Sequence, residues 1–171
     1  MKLFNIIFIF IFFGFLNASD IKFQNLSANF TQIVKNSNSQ IKYSGNFIID
    51  ENRAFWKYEK PIEKFVYFDG KIFTQIEPNL EQAIVTKIQN APNLTQIFAI
   101  SKKISKDFYK AVYNETTYEI WTKNSLPIKI KYEDKLANLI EINLTKIQKN
   151  QNLKDEIFTP KIPSNYDVIN N

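Results

Sequence analysis

Hydrophobic and polar residues alternate with a period of two along most of the chain, as is typical of strands in antiparallel sheets. Segments with this pattern begin near residue 41 and continue, separated by turn residues, to about residue 147, and a strand-like YDVI lies near the C-terminus. Asp69-Gly70 separates two of these segments and is the strongest hairpin signal in the chain. We therefore predict a meandering antiparallel sheet, with Gly45 at a bulge or at a close approach of two backbones.

Two segments have the spacing of amphipathic helices instead. The first lies within 21–36, where four apolar residues fall at i, i+4, i+7 and i+8: Leu26, Phe30, Ile33 and Val34. The second is 91–101, where Pro92 stands near the start and one face carries Leu94, Ile97 and Phe98. A short helical turn is also predicted in the tail that follows residue 149.

Several of the predicted strands are apolar on both faces. FVYF, KIFTQI, AIVTKI and NLIEINL do not alternate cleanly, although a sheet with one face in water should alternate. A curved sheet that encloses an apolar interior and is covered by amphipathic helices would explain this pattern. A filled sandwich core would explain it equally well.

The N-terminus has the three parts of a secretory signal peptide. Lys2 precedes the apolar run LFNIIFIFIFFGFL, and LNAS then supplies small residues for cleavage. The run is shorter than the roughly 20 apolar residues of a membrane span, although an uncleaved anchor is the alternative. We expect residues 1–18 to be removed and residues 19–171 to form a single domain.

The composition argues for binding and against catalysis. The chain has no His, no Cys and only 3 Gly, which excludes zinc sites, thiol nucleophiles, Ser-His-Asp triads and phosphate-binding loops. We therefore expect no enzyme, cofactor or metal. An exported hydrolase with paired carboxylates, such as Asp50 with Glu51, is the remaining enzymatic alternative. The net charge of +5 is spread thinly over lysines, which does not favour nucleic-acid binding.

Four motifs, in order, resemble the LolA family of outer-membrane lipoprotein carriers. Phe68-Asp69-Gly70-Lys71 followed by IFTQIEPNLEQA resembles the family's hairpin, and Trp56 with Pro61 resembles its F-x-W-x-x-x-x-P. FTQIV upstream and FTPKIPSNYDVI near the end complete the resemblance, the latter without the family's glycine. The motifs extend over nearly all of the chain that follows the signal peptide.

The resemblance implies a mainly β protein with a few α-helices, namely an unclosed antiparallel β-barrel (half-barrel) covered by a helical lid. It also implies a monomeric periplasmic chaperone that binds the acyl chains of lipoproteins. The implied partners are acylated lipoproteins, the inner-membrane ABC transporter that releases them and, where one exists, an outer-membrane receptor. A lipoprotein receptor or a lipid-sensing regulator of the same fold is the alternative.

Eight apolar residues are candidates for lipid binding, with ordinary core positions as the alternative for each. Trp56, Tyr58 and Val66 are expected on the sheet, and the lid is expected to supply Leu26, Phe30, Ile33, Ile97 and Phe98. In the family, an arginine at the start of this strand bonds the backbone of the lid helix. Arg53, the only arginine, is the candidate latch, although the family also has a basic residue at the position that Asp50 occupies here.

Overall fold

The computed structural model describes residues 21–88 and 93–171. The predicted signal peptide and Pro92 lie outside the described residues. The elements are β1 (Asn25–Lys35), β2 (Gln40–Asp50), β3 (Ala54–Lys60), β4 (Lys64–Phe68), β5 (Ile72–Glu77), β6 (Gln82–Lys87), α1 (Leu94–Ile100), β7 (Lys102–Ser105), β8 (Phe108–Tyr113), β9 (Thr116–Lys123), β10 (Leu126–Glu133), β11 (Leu139–Lys149) and β12 (Asp167–Asn170). Two 3₁₀ turns, Pro78–Leu80 and Asp155–Phe158, complete them, the second at the predicted helical turn of the tail.

The twelve strands of the described residues belong to one sheet, in the order β12-β6-β5-β4-β3-β2-β1-β11-β10-β9-β8-β7. Every neighbouring pair is antiparallel except β12 with β6, which is parallel. Strands β12 and β7 form the two edges, so the sheet is unclosed. The predicted fold class, mainly β with an unclosed antiparallel sheet, is confirmed. Strand β7 was not predicted.

The prediction of a helix within 21–36 is wrong, because this segment forms β1. It lies in the centre of the sheet and pairs with β2 on one side and β11 on the other. Leu26 and Phe30 are four residues apart, and an even separation fits the period of a strand as well as the turn of a helix. Ile33 stands at an odd separation and is the residue at which the two interpretations differ. Pairing along both edges of β1 therefore decided between two patterns that were nearly equivalent.

One face of the sheet, called the inner face here, carries the main apolar core. Residues directly opposite in an antiparallel pair project to the same side, so Leu26, Ala28 and Phe30 of β1 share this face with Phe47 and Ile49 of β2. These residues form one buried cluster with side chains from β8 to β11 and from α1. The core thus lies between the inner face and the helix.

Helix α1 confirms the second predicted helix. Asn93 caps its N-terminus, where the side-chain oxygen accepts a hydrogen bond from the backbone N–H of Gln96 at 3.1 Å. Ile97 and Phe98 are fully buried against the inner face, and the ring of Phe98 meets that of Phe23 edge to face at 5.6 Å. Ser101 ends the helix, where its hydroxyl donates to the carbonyl of Phe98 at 2.7 Å.

The opposite, outer face of β4 to β6 is also apolar, and the C-terminal tail covers it. Thr74, Ile76 and Ala83 are buried on this face. The tail brings Phe158 over it, 5 % exposed, and β12 adds to the edge of the sheet beside β6. These strands fail to alternate in polarity because they have the inner core on one side and the tail on the other. NLIEINL differs, since from Leu139 to Leu144 its burial alternates.

Gly45 lies where β2 and β3 approach each other closely, as the sequence predicted. The register between these strands shifts at Ser44 and Gly45. A Cβ atom at Gly45 would lie 1.9 Å from the carbonyl oxygen of Lys57, a backbone atom that cannot rotate away. Only glycine fits here without displacing β3.

We expect Gly45→Ala to lower the free energy of unfolding by about 1–3 kcal/mol, because an added methyl group must force two backbones apart. Urea unfolding followed by Trp fluorescence measures the change. The neighbouring Ser44→Ala is the matched control and should stay within about 0.5 kcal/mol of the wild type. A Gly45→Ala protein as stable as the wild type would contradict the close approach.

Candidate functional site

A cavity of about 150 Å³, called the inner cavity here, lies between the inner face and the start of α1. Its walls are mainly aromatic and apolar: Trp56, Tyr58, Phe68, Leu94, Tyr118 and Tyr132. Polar side chains at one end come from the turn between β2 and β3, residues 50–53, including Asp50 and Arg53. An apolar cavity with a few polar groups at its rim is typical of a site for a hydrophobic ligand.

An aromatic cluster, Phe30, Tyr43, Phe47, Trp56 and Tyr58, forms the floor beside this cavity. The ring of Phe30 meets those of Trp56 and Tyr58 edge to face, each at 5.1 Å between centroids. Phe47 stacks on Trp56 at 4.5 Å, and Tyr43 meets Tyr58 at 5.8 Å. These are the offset and edge-to-face arrangements that aromatic pairs prefer. The cluster offers a rigid apolar surface across three neighbouring strands.

Six of the eight candidate lipid-binding residues meet in the apolar core of the inner face: Leu26, Phe30, Trp56, Tyr58, Ile97 and Phe98. The expected origin of two of them is wrong, since Leu26 and Phe30 project from β1 and belong to the sheet, not to a lid helix. Val66 on β4 lies directly opposite Trp56 and is buried on the inner face. Helix α1 contributes Ile97 and Phe98, as expected.

Ile33 does not join this group, which corrects its expected place. It stands at an odd separation from Leu26 on β1 and therefore projects to the outer face, opposite Lys42 on one side and Glu141 on the other. There it lines a separate groove of about 500 Å³ with Lys35, Lys131 and Leu139 among others. The helical interpretation of 21–36 is the source of the error.

Tyr58 brings a hydroxyl group into the apolar site. Its oxygen lies 3.4 Å from Oε1 of Gln32 on β1, to which it donates a long hydrogen bond. Burial, with a smaller contribution from Tyr43, raises the pKa of Tyr58 to about 12. Burial also raises the pKa of Tyr132 on the opposite wall. Both phenols thus stay neutral at any physiological pH, and the cavity wall carries no charge at these positions.

Arg53 is held by two carboxylates at the mouth of the cavity. Its Nη2 lies 2.6 Å from Oδ2 of Asp50, and its Nε also donates to that carboxylate, at 3.1 Å. Its Nη1 donates to Oδ1 of Asp155 in the tail at 2.8 Å. The guanidinium carbon lies 4.4 Å from the centroid of the Phe158 ring. The hydrogen bonds that Arg53 donates to Asp50, and to a smaller extent the one to Asp155, raise the pKa of Arg53 further above its ordinary value.

The turn at 50–53 also binds α1, through its backbone carbonyls. Thr95 Oγ1 donates to the carbonyl of Asp50 at 3.1 Å, and Asn93 Nδ2 donates to the carbonyl of Glu51 at 2.9 Å. The side-chain hydrogen bonds of Arg53 within the described residues go to carboxylates and not to the helix backbone. Arg53 is therefore connected to the helix indirectly, through Asp50, and its role as a latch stays a prediction.

Sequence reasoning missed Asp155 and Phe158 as partners of Arg53. Asp155 is 102 residues away in the chain, and no local pattern signals such a contact.

Within residues 21–88 and 93–171, no helix is long and apolar enough to cross a membrane. The same residues contain no group of three or more side chains suited to hold a metal ion.

Comparison with solved structures identifies the fold. An uncharacterised conserved protein from Thermus thermophilus superimposes with a TM-score of 0.55 at 8% identity, over 86% of this chain and 91% of that one. A LolA superfamily protein from Nitrosomonas europaea gives a TM-score of 0.50 at 13% identity, over 83% of this chain and 94% of that one. At these identities the likeness concerns the fold alone.

Sequence comparison identifies the family. Residues 21–119 match the family model described as "Outer membrane lipoprotein carrier protein LolA". An outer-membrane lipoprotein carrier protein from Campylobacter jejuni is 40% identical over 160 residues, 94% of this chain and 95% of that protein. One from Helicobacter pylori strain P12 is 32% identical over 148 residues, which are 85% of this chain and 80% of that protein. The predicted resemblance is thus confirmed, and the chain belongs to the LolA family of outer-membrane lipoprotein carrier proteins.

Proposed function

We propose that this protein binds the acyl chains of lipoproteins on its inner face and carries the lipoproteins through the periplasm to the outer membrane. The observation that carries the proposal is a continuous apolar face covered by one short helix, in a chain of the LolA family. The partners in this proposal are acylated lipoproteins, the inner-membrane ABC transporter that releases them and, where one exists, an outer-membrane receptor.

The physical need for such a carrier follows from the cost of exposing acyl chains to water. Each buried CH₂ group is worth about 0.8 kcal/mol, so a free acyl chain does not leave a membrane readily. A carrier must cover the chain during transfer and still release it. An apolar face with a movable cover meets both requirements, and it acts by binding alone, without any chemical step.

The inner cavity has to enlarge before it can take a chain. Its volume is about 150 Å³, whereas ligand pockets commonly measure about 300–1,000 Å³. Ile97 and Phe98 of α1 occupy the remaining space over the inner face and are fully buried. We therefore regard the structure as the closed state, in which the helix takes the place of the cargo.

The exchange between helix and cargo is close to balanced. Burial of a side chain such as Ile97 or Phe98 is worth about 1.5–3 kcal/mol, so a segment of about four to eight CH₂ groups replaces both of them. Helix α1 has only seven residues, and helices this short are not stable without packing. A cover of this kind can leave the sheet when cargo arrives and return when cargo departs.

The compartment and the domain organisation belong to the same proposal. The predicted signal peptide supports export, and a periplasmic carrier of this family acts on cargo between two membranes. The twelve strands within residues 21–88 and 93–171 join one sheet, which supports the view that residues 19–171 form one domain. We expect the mature chain to work as a monomer, with one cargo molecule on its single inner face.

We expect the protein, purified from the periplasm of its own cell, to carry acylated lipoprotein in a one-to-one complex. Native mass spectrometry of the purified carrier measures the ratio, and tandem mass spectrometry identifies the acylated N-terminal cysteine of the cargo. Cargo that co-purifies equally well after its acyl chains are removed would contradict the proposal, because binding would then not depend on the chains.

We expect Arg53→Leu to slow the release of cargo by about 2- to 30-fold, because the closed state loses two ion pairs worth about 0.2–1 kcal/mol each. Arg53→Lys should also be impaired, since an ammonium lacks the planar fork that binds both carboxylates. Transfer of lipoprotein to outer-membrane vesicles measures the effect. Lys71→Leu, at an exposed lysine in the β4–β5 hairpin, is the control; an Arg53→Leu protein with wild-type transfer would refute the latch.

A further inference from the structure

We propose that Lys64 forms an oxyanion subsite beside the aromatic cluster, so that the carrier also binds single lipids whose acyl chain ends in a carboxylate or a phosphate. The inference rests on the proposed function, since the chain of such a lipid would occupy the inner face. It adds a class of ligand, anionic lipids, and a residue that selects them.

The register of the sheet places Lys64 on the inner face. Lys64 on β4 lies directly opposite Tyr58 on β3, and Val66, two residues further along β4, lies opposite Trp56. Lys64 therefore projects to the side of the sheet that carries the aromatic cluster. Its side chain is half-buried, unlike that of a lysine extended into water.

The ammonium group of Lys64 lies over aromatic rings. Its Nζ is 4.4 Å from the centroid of the Tyr58 ring and 5.4 Å from that of Tyr43. Ring faces attract a cation, but the ammonium has three N–H donors that prefer oxygen acceptors. The two tyrosine rings thus hold the ammonium in place, and its N–H groups that point away from the rings can still donate to a ligand.

Three other lysines that lie over aromatic rings are also paired with a carboxylate. Lys57 pairs with Glu63 at 3.5 Å, Lys110 with Glu119 at 2.9 Å, and Lys129 with Glu141 at 3.1 Å. No carboxylate of the described residues lies within 4.0 Å of Lys64. Glu77 acts on Lys64 from a longer distance and already accepts a hydrogen bond from Gln75 at 2.7 Å.

This arrangement favours an incoming oxyanion. Burial lowers the pKa of Lys64, because a half-buried cation without a close anion is poorly solvated. A carboxylate or phosphate oxygen would accept charge-assisted hydrogen bonds from the ammonium, which are stronger than bonds between neutral groups. The subsite should therefore bind most strongly a ligand whose head group is negatively charged.

The subsite is continuous with the inner cavity. Tyr58 lines the cavity, and the ammonium of Lys64 lies over its ring. The hydroxyl of Tyr58 donates to Gln32, which also lines the cavity. A chain that lies along Trp56 and Tyr58 would thus end beside Lys64. The shared chemistry is an oxyanion at the end of an acyl chain, whether it comes from a free fatty acid or from a lipid phosphate.

The test compares three ligands that share a chain of the same length: dodecanoate, dodecyl phosphate and dodecanol. Their binding to the mature protein is measured by displacement of a fluorescent acyl probe. We expect the wild type to bind at least one of the two anions about tenfold more tightly than dodecanol, as a hydrogen bond to a charged group provides. Tighter binding of dodecanoate assigns the subsite to fatty acids, and tighter binding of dodecyl phosphate assigns it to lipid phosphates.

Lys64→Met should abolish this preference and leave the affinity for dodecanol within about twofold, because it keeps an unbranched side chain only one atom shorter and removes the charge. Lys64→Arg keeps the charge and should keep the preference. Lys57→Met, on the outer face of the neighbouring strand, is the matched control and should behave as the wild type. An equal affinity of the wild type for charged and neutral chains overturns the subsite alone. A wild type that binds none of the three overturns the binding of acyl chains to the inner face as well.

Discussion

The packing of Ile97 and Phe98 against the inner face is the contact on which the rest of this structure depends. These two residues are fully buried, and they cover apolar side chains from both halves of the sheet, from Leu26 and Phe47 to Tyr109 and Ile120. Without α1 this face would be exposed to water as one continuous apolar surface, which soluble proteins rarely tolerate. The same surface is what an acyl chain would require, so closure and the proposed binding of cargo would use one set of contacts.

The turn at residues 50–53 contacts both segments that cover the sheet, namely α1 on the inner face and the C-terminal tail on the outer face. Its carbonyls accept hydrogen bonds from Thr95 and Asn93 of the helix region, and Arg53 holds Asp155 and Phe158 of the tail. Ion pairs at the surface contribute little individually, but Arg53 bonds two carboxylates and a ring at once. Arg53 and Asp50 thus form a chain of hydrogen bonds from the tail to α1. A lysine lacks the planar fork with which Arg53 binds both carboxylates.

Much of the sheet could be predicted, because alternation and turn residues are local signals. The hairpin at Asp69-Gly70 is one example. The helix that begins after Asn93 was predictable for the same reason, because in both places a side chain forms hydrogen bonds with the backbone nearby. The strand β1 was predicted wrongly because Leu26 and Phe30 fit both periods. The difference depended on its pairing with β2 and β11, which the local sequence does not specify.

The site was predicted in part for a related reason. Trp56, Tyr58, Ile97 and Phe98 are large apolar residues in segments whose elements were predicted correctly, and they meet in the core. Ile33 was misplaced together with its element. The partners of Arg53 in the tail could not be found, since contacts over 102 residues depend on how the completed sheet is covered.

In the proposed mechanism, α1 must leave the sheet before the inner face can bind an acyl chain. The chain has no cysteine, so Asn52→Cys with Asn93→Cys adds a single pair, at side chains whose Oδ1 and Nδ2 atoms lie 3.5 Å apart. The most direct measurement is the affinity of the double variant for a fluorescent acyl ligand, before and after reduction of the disulfide, with Asn93→Cys alone as the control. We expect that the oxidised protein does not bind and that reduction restores binding. Equal binding in the oxidised and reduced states would contradict it.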